Sequence, residues 1–350
     1  MHIGKKKELC PKLLAHQEEM KDTVKEKYLG DIISTDGKNQ QNLQNKVNIG
    51  MNMISKIMNI LTEVSLGTAY YFEVSVILRE SMLISSMLLN SEAWIGITQA
   101  NIDILEQVDE TLLRRVLETP SSTPKPSLYL ELGCLPIRFI IMIRRILFLH
   151  YILNLNEEEM LSKVFWAMEK SPIKNDWIIT IKENLKYLDM DDKNLEIIKY
   201  KKKDKFKEEV KSAINKRAFE YLEDQIKKKD MSKIKNIPYK NLEMQKYLES
   251  ESISIHGKKI LFKTRTHMLK VNHNYGQKIQ CPLCNNEDDN QIHLTKCKTI
   301  IESVPTFKMN HVEFLDAYDE KDLDKANELS IIVEKVLQRR SIILDSMKVT

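Results

Sequence analysis

The sequence predicts a mainly α-helical protein that opens on a short β hairpin and carries a small zinc-binding module near its C-terminal end. Leu, Ile, Lys, Glu and Met dominate a 350-residue chain that holds only nine glycines and nine prolines, a composition that favours helix. Apolar residues recur at helical spacing along most of its length. The stretch CPLCNNEDDNQIHLTKC sets Cys281, Cys284, His293 and Cys297 in a C-x2-C-x8-H-x3-C array. Hydrophobic residues at 42% and charged ones at 30% describe a soluble globular chain rather than a disordered or membrane one, long enough for two or three domains. A net charge of +4 is mild, so any nucleic-acid surface must arise from local clustering.

The first segment, residues 1–39, reads as strand and turn. Met1-His2-Ile3-Gly4 is strand-like and is followed by Lys5-Lys6-Lys7. Lys27 to Ser34 forms a short apolar strand that ends at the turn signal Thr35-Asp36-Gly37. Two strands make no stable sheet alone, so they pair and pack on helices or belong to a larger sheet, the arrangement expected here.

Residues 40–156 read as a helical bundle. Leu43, Val47, Ile54, Ile57, Met58 and Leu61 fall near a helical period. Tyr70 to Trp94 is apolar almost all round, but Arg79, Glu80, Asn90 and Glu92 interrupt it, which predicts a buried helix and no membrane span. Gln99 to Leu117 buries Leu105, Val108, Leu112 and Val116, and Pro120, Pro124 and Pro126 then open a loop. After Ser127-Leu128-Tyr129-Leu130-Glu131-Leu132-Gly133, a helix from Pro136 to Leu155 carries Arg138, Arg144 and Arg145 as a basic stripe. That stripe either meets phosphates or faces solvent and pairs with Glu157, Glu158 and Glu159.

Residues 157–250 form a helical linker. Trp166 and Trp177 flank Ser171-Pro172, which predicts a helical hairpin with two buried anchors. Phe206, Val210, Ile214, Phe219 and Leu222 keep helical spacing beneath a lysine-rich face, by default a solvated one.

Residues 251–300 combine a basic helix with the Cys/His array. No Asp or Glu occurs between Glu251 and Glu287, whereas Lys258, Lys259, Lys263, Arg265 and Lys270 do. An acid-free basic helix beside a zinc module suits a phosphate backbone, RNA or DNA, through counterion release. The bland alternative is a plain surface helix. In the array, the Pro282-Leu283 turn lets Cys281 and Cys284 face one ion, and His293 and Cys297 lie one helical turn apart. Three thiolates and one imidazole fill a tetrahedral Zn2+, so the site is structural and leaves no position for catalytic water. Reduced cysteines without metal are the competing reading. A disulfide framework fits poorly with five cysteines and no recognisable secretory signal, and an intracellular setting, nuclear or cytoplasmic, is expected. His256, His267 and His273 are surface or phosphate-contacting residues, because the ligand set is already full. Ile292 and Leu294 are expected to pack the module on the basic helix through Met268 and Leu269. Residues 301–350 end in an amphipathic helix with Leu329, Val333, Val336 and Leu337 on its apolar face.

The order KYLGDIISTDG, helices, PSLYLELGCLPIRFIIMIRRILFLHYIL, FKTRTHML and CPLC…HLTKC resembles the C-terminal part of a non-LTR (LINE-type) retrotransposon reverse transcriptase. The resemblance runs over essentially the whole chain. It implies that residues 1–39 are the closing edge of the palm, residues 40–156 a thumb-like bundle, and the array that family's downstream zinc region. The family holds two metal ions on palm carboxylates, on a hairpin that should precede KYLGD. The resemblance therefore implies a fragment without its catalytic centre, and no catalytic residue is assigned. The family's endonuclease domain is not recognisable in this sequence. Asp189, Asp191 and Asp192, in the string Tyr187 to Asp192, are expected to be a solvated turn and helix start. The alternative to a nucleic-acid-holding fragment is a stand-alone helical zinc protein that scaffolds a partner.

Overall fold

The computed structural model describes residues 14–15, 18–19, 23–35, 39–64, 70–172, 177–190, 195–228, 237–271, 279–304 and 323–348. Among them the protein is mainly helical, with two short antiparallel hairpins near the N-terminus. It groups into two compact units, each assembled from separated stretches of chain. Residues 40–156 contribute to both units.

The first unit comprises Met1–Lys56, Arg79–Asp109 and Pro136–Arg217. Strand β1 (Leu14–Ala15) pairs with β2 (Glu18–Glu19), and β3 (Lys25–Tyr28) pairs with β4 (Asp31–Ser34). The run from Lys27 to Ser34 is thus two strands rather than the single one expected. Leu29 and Gly30 both take positive φ, 45° and 88°, and make the two-residue turn that matches strand twist. Of the expected elements, the strand-like start Met1-His2-Ile3-Gly4 lies outside the described residues, as do Asp36 and Gly37 of the expected turn Thr35-Asp36-Gly37. The hairpin docks on helix α1 (Gln40–Val64) through Asp31, which pairs with Lys46 at 2.8 Å and accepts from Asn42 and Asn90. Among the described residues the strands form two-stranded sheets, not the larger sheet expected, and β3–β4 packs on α1.

The expected helix from Tyr70 to Trp94 is broken. Helix α2 (Tyr71–Leu78) passes into a π-helical turn, Arg79–Ile84, then α3 (Ser85–Met87) and a 3-10 turn, Ser91–Ala93. Arg79 opens the π turn and is buried. Its guanidinium donates to both carboxylate oxygens of Asp109 in α4 (Gln99–Leu117), at 2.7 and 2.6 Å. The carbonyls released by the broken helix are met by side chains: Lys46 donates to Leu89, Arg144 to Leu88, Arg145 to Trp94 and Trp177 to Glu92.

Helix α5 (Lys125–Leu132) belongs to the second unit, and α6 (Ile137–Leu153) to the first, where it packs with α7 (Met160–Lys170), α8 (Trp177–Tyr187) and α9 (Leu195–Lys199). Trp177 is buried as expected, but Trp166 is 38% exposed, so the helical hairpin has one indole anchor. In α10 (Lys203–Lys228), Phe206, Val210, Ile214, Ala218, Leu222 and Ile226 form a strict four-residue stripe. Ala218 takes the place foreseen for Phe219, because the spacing stays at four throughout. Lys205, Lys207, Lys211 and Lys216 face solvent. Asp189 sits in a turn and pairs with Arg217, while Asp191 and Asp192 lie outside the described residues.

The second unit comprises Ile57–Leu78, Glu110–Leu135 and Ala218–Thr350. Helix α5, the SLYLEL stretch, is buried from Pro126 to Leu132. Gly133 caps it at φ 64°, and a Cβ there would lie 2.4 Å from the Met244 amide nitrogen, so only glycine lets Leu132 bridge to Met244. Beyond α11 (Lys246–Glu249), helix α12 (Ile255–Arg265) is capped by Ser254, whose hydroxyl accepts from the Gly257 amide. The short helices α13 (Gln291–Leu294) and α14 (Lys298–Ser303) frame the Cys/His array, and α15 (Leu323–Lys348) packs on α12.

Candidate metal centre

The array folds as a knuckle followed by a helical turn. Cys281 to Cys284 turn back so that the Asn285 amide donates to the Cys281 carbonyl at 2.8 Å, with Asn285 in the left-handed region at φ 53°. Returning chain closes the knuckle. The Cys281 amide donates to the Glu287 carbonyl at 2.7 Å, and Gln280 bridges to Asp288. Asn290 then caps α13 by accepting from the His293 amide at 2.8 Å. The Cys297 amide donates to the His293 carbonyl, which places those two side chains one turn apart on one face.

The outcome is a single cluster. The ligand atoms of Cys281, Cys284, His293 and Cys297 all lie within 4.8 Å of one another. Cys281 Sγ and Cys297 Sγ are 4.0 Å apart, and Cys284 Sγ is 3.2 Å from His293 Nε2. Sulfurs around a tetrahedral ion with metal–sulfur bonds of about 2.3 Å stand roughly 3.8 Å apart, so the donor set fits a metal with little movement. The four sequence-predicted ligands are therefore brought together and can hold a metal ion. Burial raises the Cys297 thiol to about 11. Burial also acts to raise Cys284, but the backbone amides of Asn286 and Glu287 and the neighbouring thiols outweigh it and hold that thiol below 9.0.

The module is fixed by contacts that sequence reasoning missed. Asp289 is buried and accepts from Arg340 of α15 at 2.6 Å, and Gln291 donates to the Thr264 carbonyl of α12 at 2.9 Å. Leu294, Met268 and Leu269 are buried as expected, whereas Ile292 is 46% exposed because its side of α13 faces solvent.

The cations expected at phosphates mostly point inward. Lys258 is fully buried, 5.8 Å from the Phe72 ring, and burial lowers its ammonium from its ordinary value. Lys259 pairs with Glu118 at 2.6 Å, and burial lowers the half-buried Lys263 against the opposing charge of Glu118. Arg265 donates to Glu131 at 3.0 Å and to Gln245 at 3.3 Å. The acids missing from residues 252–286 are thus supplied by α5 and the end of α4. Only Lys270 of this set is exposed. Arg138 pairs with Glu106 and Asp103, and Arg144 and Arg145 are used on the carbonyls of Leu88 and Trp94. The expected partners Glu157 to Glu159 play no part in those contacts, since the stripe turns toward α4 and the 3-10 turn. His256 is exposed and lies 3.6 Å from Glu334, His267 ends α12 at φ 56°, and His273 is outside the described residues.

Together these features define a helical protein with a Cys3His knuckle whose four side chains could hold a metal ion. No family model, curated protein or solved structure matches the chain. No helix among the described residues is long and apolar enough to cross a membrane.

Proposed function

We propose that this chain is the palm-edge, thumb and zinc-binding region of a non-LTR (LINE-type) reverse transcriptase. In this reading it holds RNA or DNA inside the cell, performs no polymerisation itself, and carries one structural Zn2+. The observation that carries the reading is the order of the resembling motifs, each on an element with an architectural task. KYLGD supplies the turn and the docking Asp31, SLYLELG supplies buried α5, and HLTKC closes the metal cluster. Three soft thiolates and one imidazole suit zinc, and a full four-ligand shell suits a structural ion.

Nucleic-acid contact is then assigned to the cations left in solvent around the knuckle, Lys270, Lys296 and Lys298. A helical scaffold that binds a protein partner is the second reading, favoured by the burial or pairing of Lys258, Lys259, Arg265 and Arg145. Salt dependence separates the two. Binding of an RNA–DNA duplex to the full chain should weaken linearly in log K against log salt. Lys270→Ala, Lys296→Ala and Lys298→Ala together should flatten the slope by up to about 2–3. No binding at low salt, or a slope unchanged in the triple variant, selects the scaffold.

A further inference from the structure

Glu287 touches the metal cluster twice. Its carbonyl accepts from the Cys281 amide at 2.7 Å, and its carboxylate Oε2 lies 3.2 Å from His293 Nδ1. The other ring nitrogen, Nε2, faces the cluster, 3.2 Å from Cys284 Sγ. An imidazole that binds a metal through one nitrogen presents a proton on the other, and an acceptor there fixes both tautomer and ring orientation. His293 is buried, so protein groups must supply that acceptor, and Glu287 reaches it from the solvent side.

We propose that Glu287 is the positioning residue of the metal centre, holding the Cys281 backbone with its carbonyl and the His293 Nε2-binding tautomer with its carboxylate. This rests on the metal reading of the cluster. It assigns a role to a residue outside the four ligands, on an acidic run (Glu287-Asp288-Asp289) whose members do different work. Asp289 turns inward to Arg340, Asp288 shares the bridge with Gln280, and Glu287 meets the His293 ring. The carbonyl contact survives any side-chain change at position 287. The carboxylate contact does not, which makes the side chain separable by mutation.

The test uses the full chain and zinc. Affinity is read by competition with a chromophoric chelator, and the His293 tautomer by long-range nitrogen–proton NMR of the imidazole. Glu287→Ala should weaken zinc binding by about 10-fold or more and speed exchange of the Nδ1 proton. Glu287→Gln, which keeps an uncharged acceptor, should fall between Ala and parent and preserve the Nε2-bound tautomer. Parent-like affinity in Glu287→Ala overturns the proposal. So does weakened affinity with Nδ1 exchange unchanged, or equal losses in both variants. Cys284→Ser is the control for the metal reading. If parent and Cys284→Ser hold the same amount of zinc, that reading itself fails and this inference with it. A zinc-loaded parent with an indifferent Glu287 sinks the inference alone.

Discussion

Glu131 shows how one side chain can organise a core. It is fully buried, yet it accepts from the hydroxyls of Tyr239 at 2.7 Å and Tyr247 at 2.8 Å and from the Arg265 guanidinium at 3.0 Å. A buried carboxylate of this kind is tolerable because both of its oxygens accept hydrogen bonds and one faces a guanidinium. Removing it strands a buried guanidinium. Glu131→Ala should therefore cost about 3–5 kcal/mol in urea unfolding, and Glu131→Leu combined with Arg265→Met should recover much of that loss. A cost under about 1 kcal/mol for the single variant would show that Gln245 alone suffices for Arg265. The same residue marks where sequence reading stops. Arg265 and Glu131 are 134 residues apart, and Lys259 and Glu118 are 141 apart. No local window contains both partners, so an acid-free basic helix looks like a phosphate surface until its acids arrive from elsewhere. The cluster of Cys281, Cys284, His293 and Cys297 was legible for the opposite reason, since all four lie within a stretch of chain short enough for spacing to imply geometry.

At the scale of the element, the Asp31 carboxylate joins the Ile32–Asn42 and Asn90–Leu29 hydrogen bonds in docking the N-terminal hairpin. Burial pushes the Asp31 carboxyl upward, and the hydrogen bonds and charge of Lys46 with the amides of Asn90 and Asn42 outweigh it, so it lies below its ordinary 3.8. A depressed folded value means that the charged form stabilises docking. That stabilisation is complete above the unfolded value of about 4 and is lost as pH falls through the lowered folded value. Amide resonances of Ile32 and Ser34 should hold their positions on acidification to about pH 4 and move only below it. Asp31→Asn should remove the transition. A midpoint at or above 3.8 in the parent would contradict the assigned contacts. Helix existence was legible along most of the chain, and α4 was placed residue for residue. The breaks were not. Leu29 in the left-handed region and the π turn at Arg79 answer to Gly30 and to Asp109, and neither leaves a periodic signal.

On the whole-molecule scale, the metal knuckle should be the most separable part of the second unit. Its buried aliphatic side chains are few: Leu283, Leu294, Ile300 and Val304. Structural zinc in small modules supplies on the order of 10 kcal/mol of apparent binding energy, more than those side chains can offer. Chelation should therefore raise hydrogen exchange across residues 279–304 and loosen the Asp289–Arg340 contact at α15. Exchange in α6 and α8, helices of the first unit, should stay unchanged. Equal deprotection in both units, or none in the knuckle, would show that the metal does not carry that local fold.

The patchwork make-up of the units has a consequence for how the chain comes off the ribosome. The first unit needs Pro136–Arg217 before it is complete, and the second begins at Ile57 yet waits for α15, Leu323–Lys348. At about 5–20 residues per second, the stretch after Arg217 takes on the order of ten seconds to appear. During that interval α5 has been made but lacks Tyr239, Tyr247 and Arg265, so Glu131 and its apolar neighbours have no closing surface. Until residue 265 has been made, Glu131 lacks the guanidinium that pairs with it in the finished core.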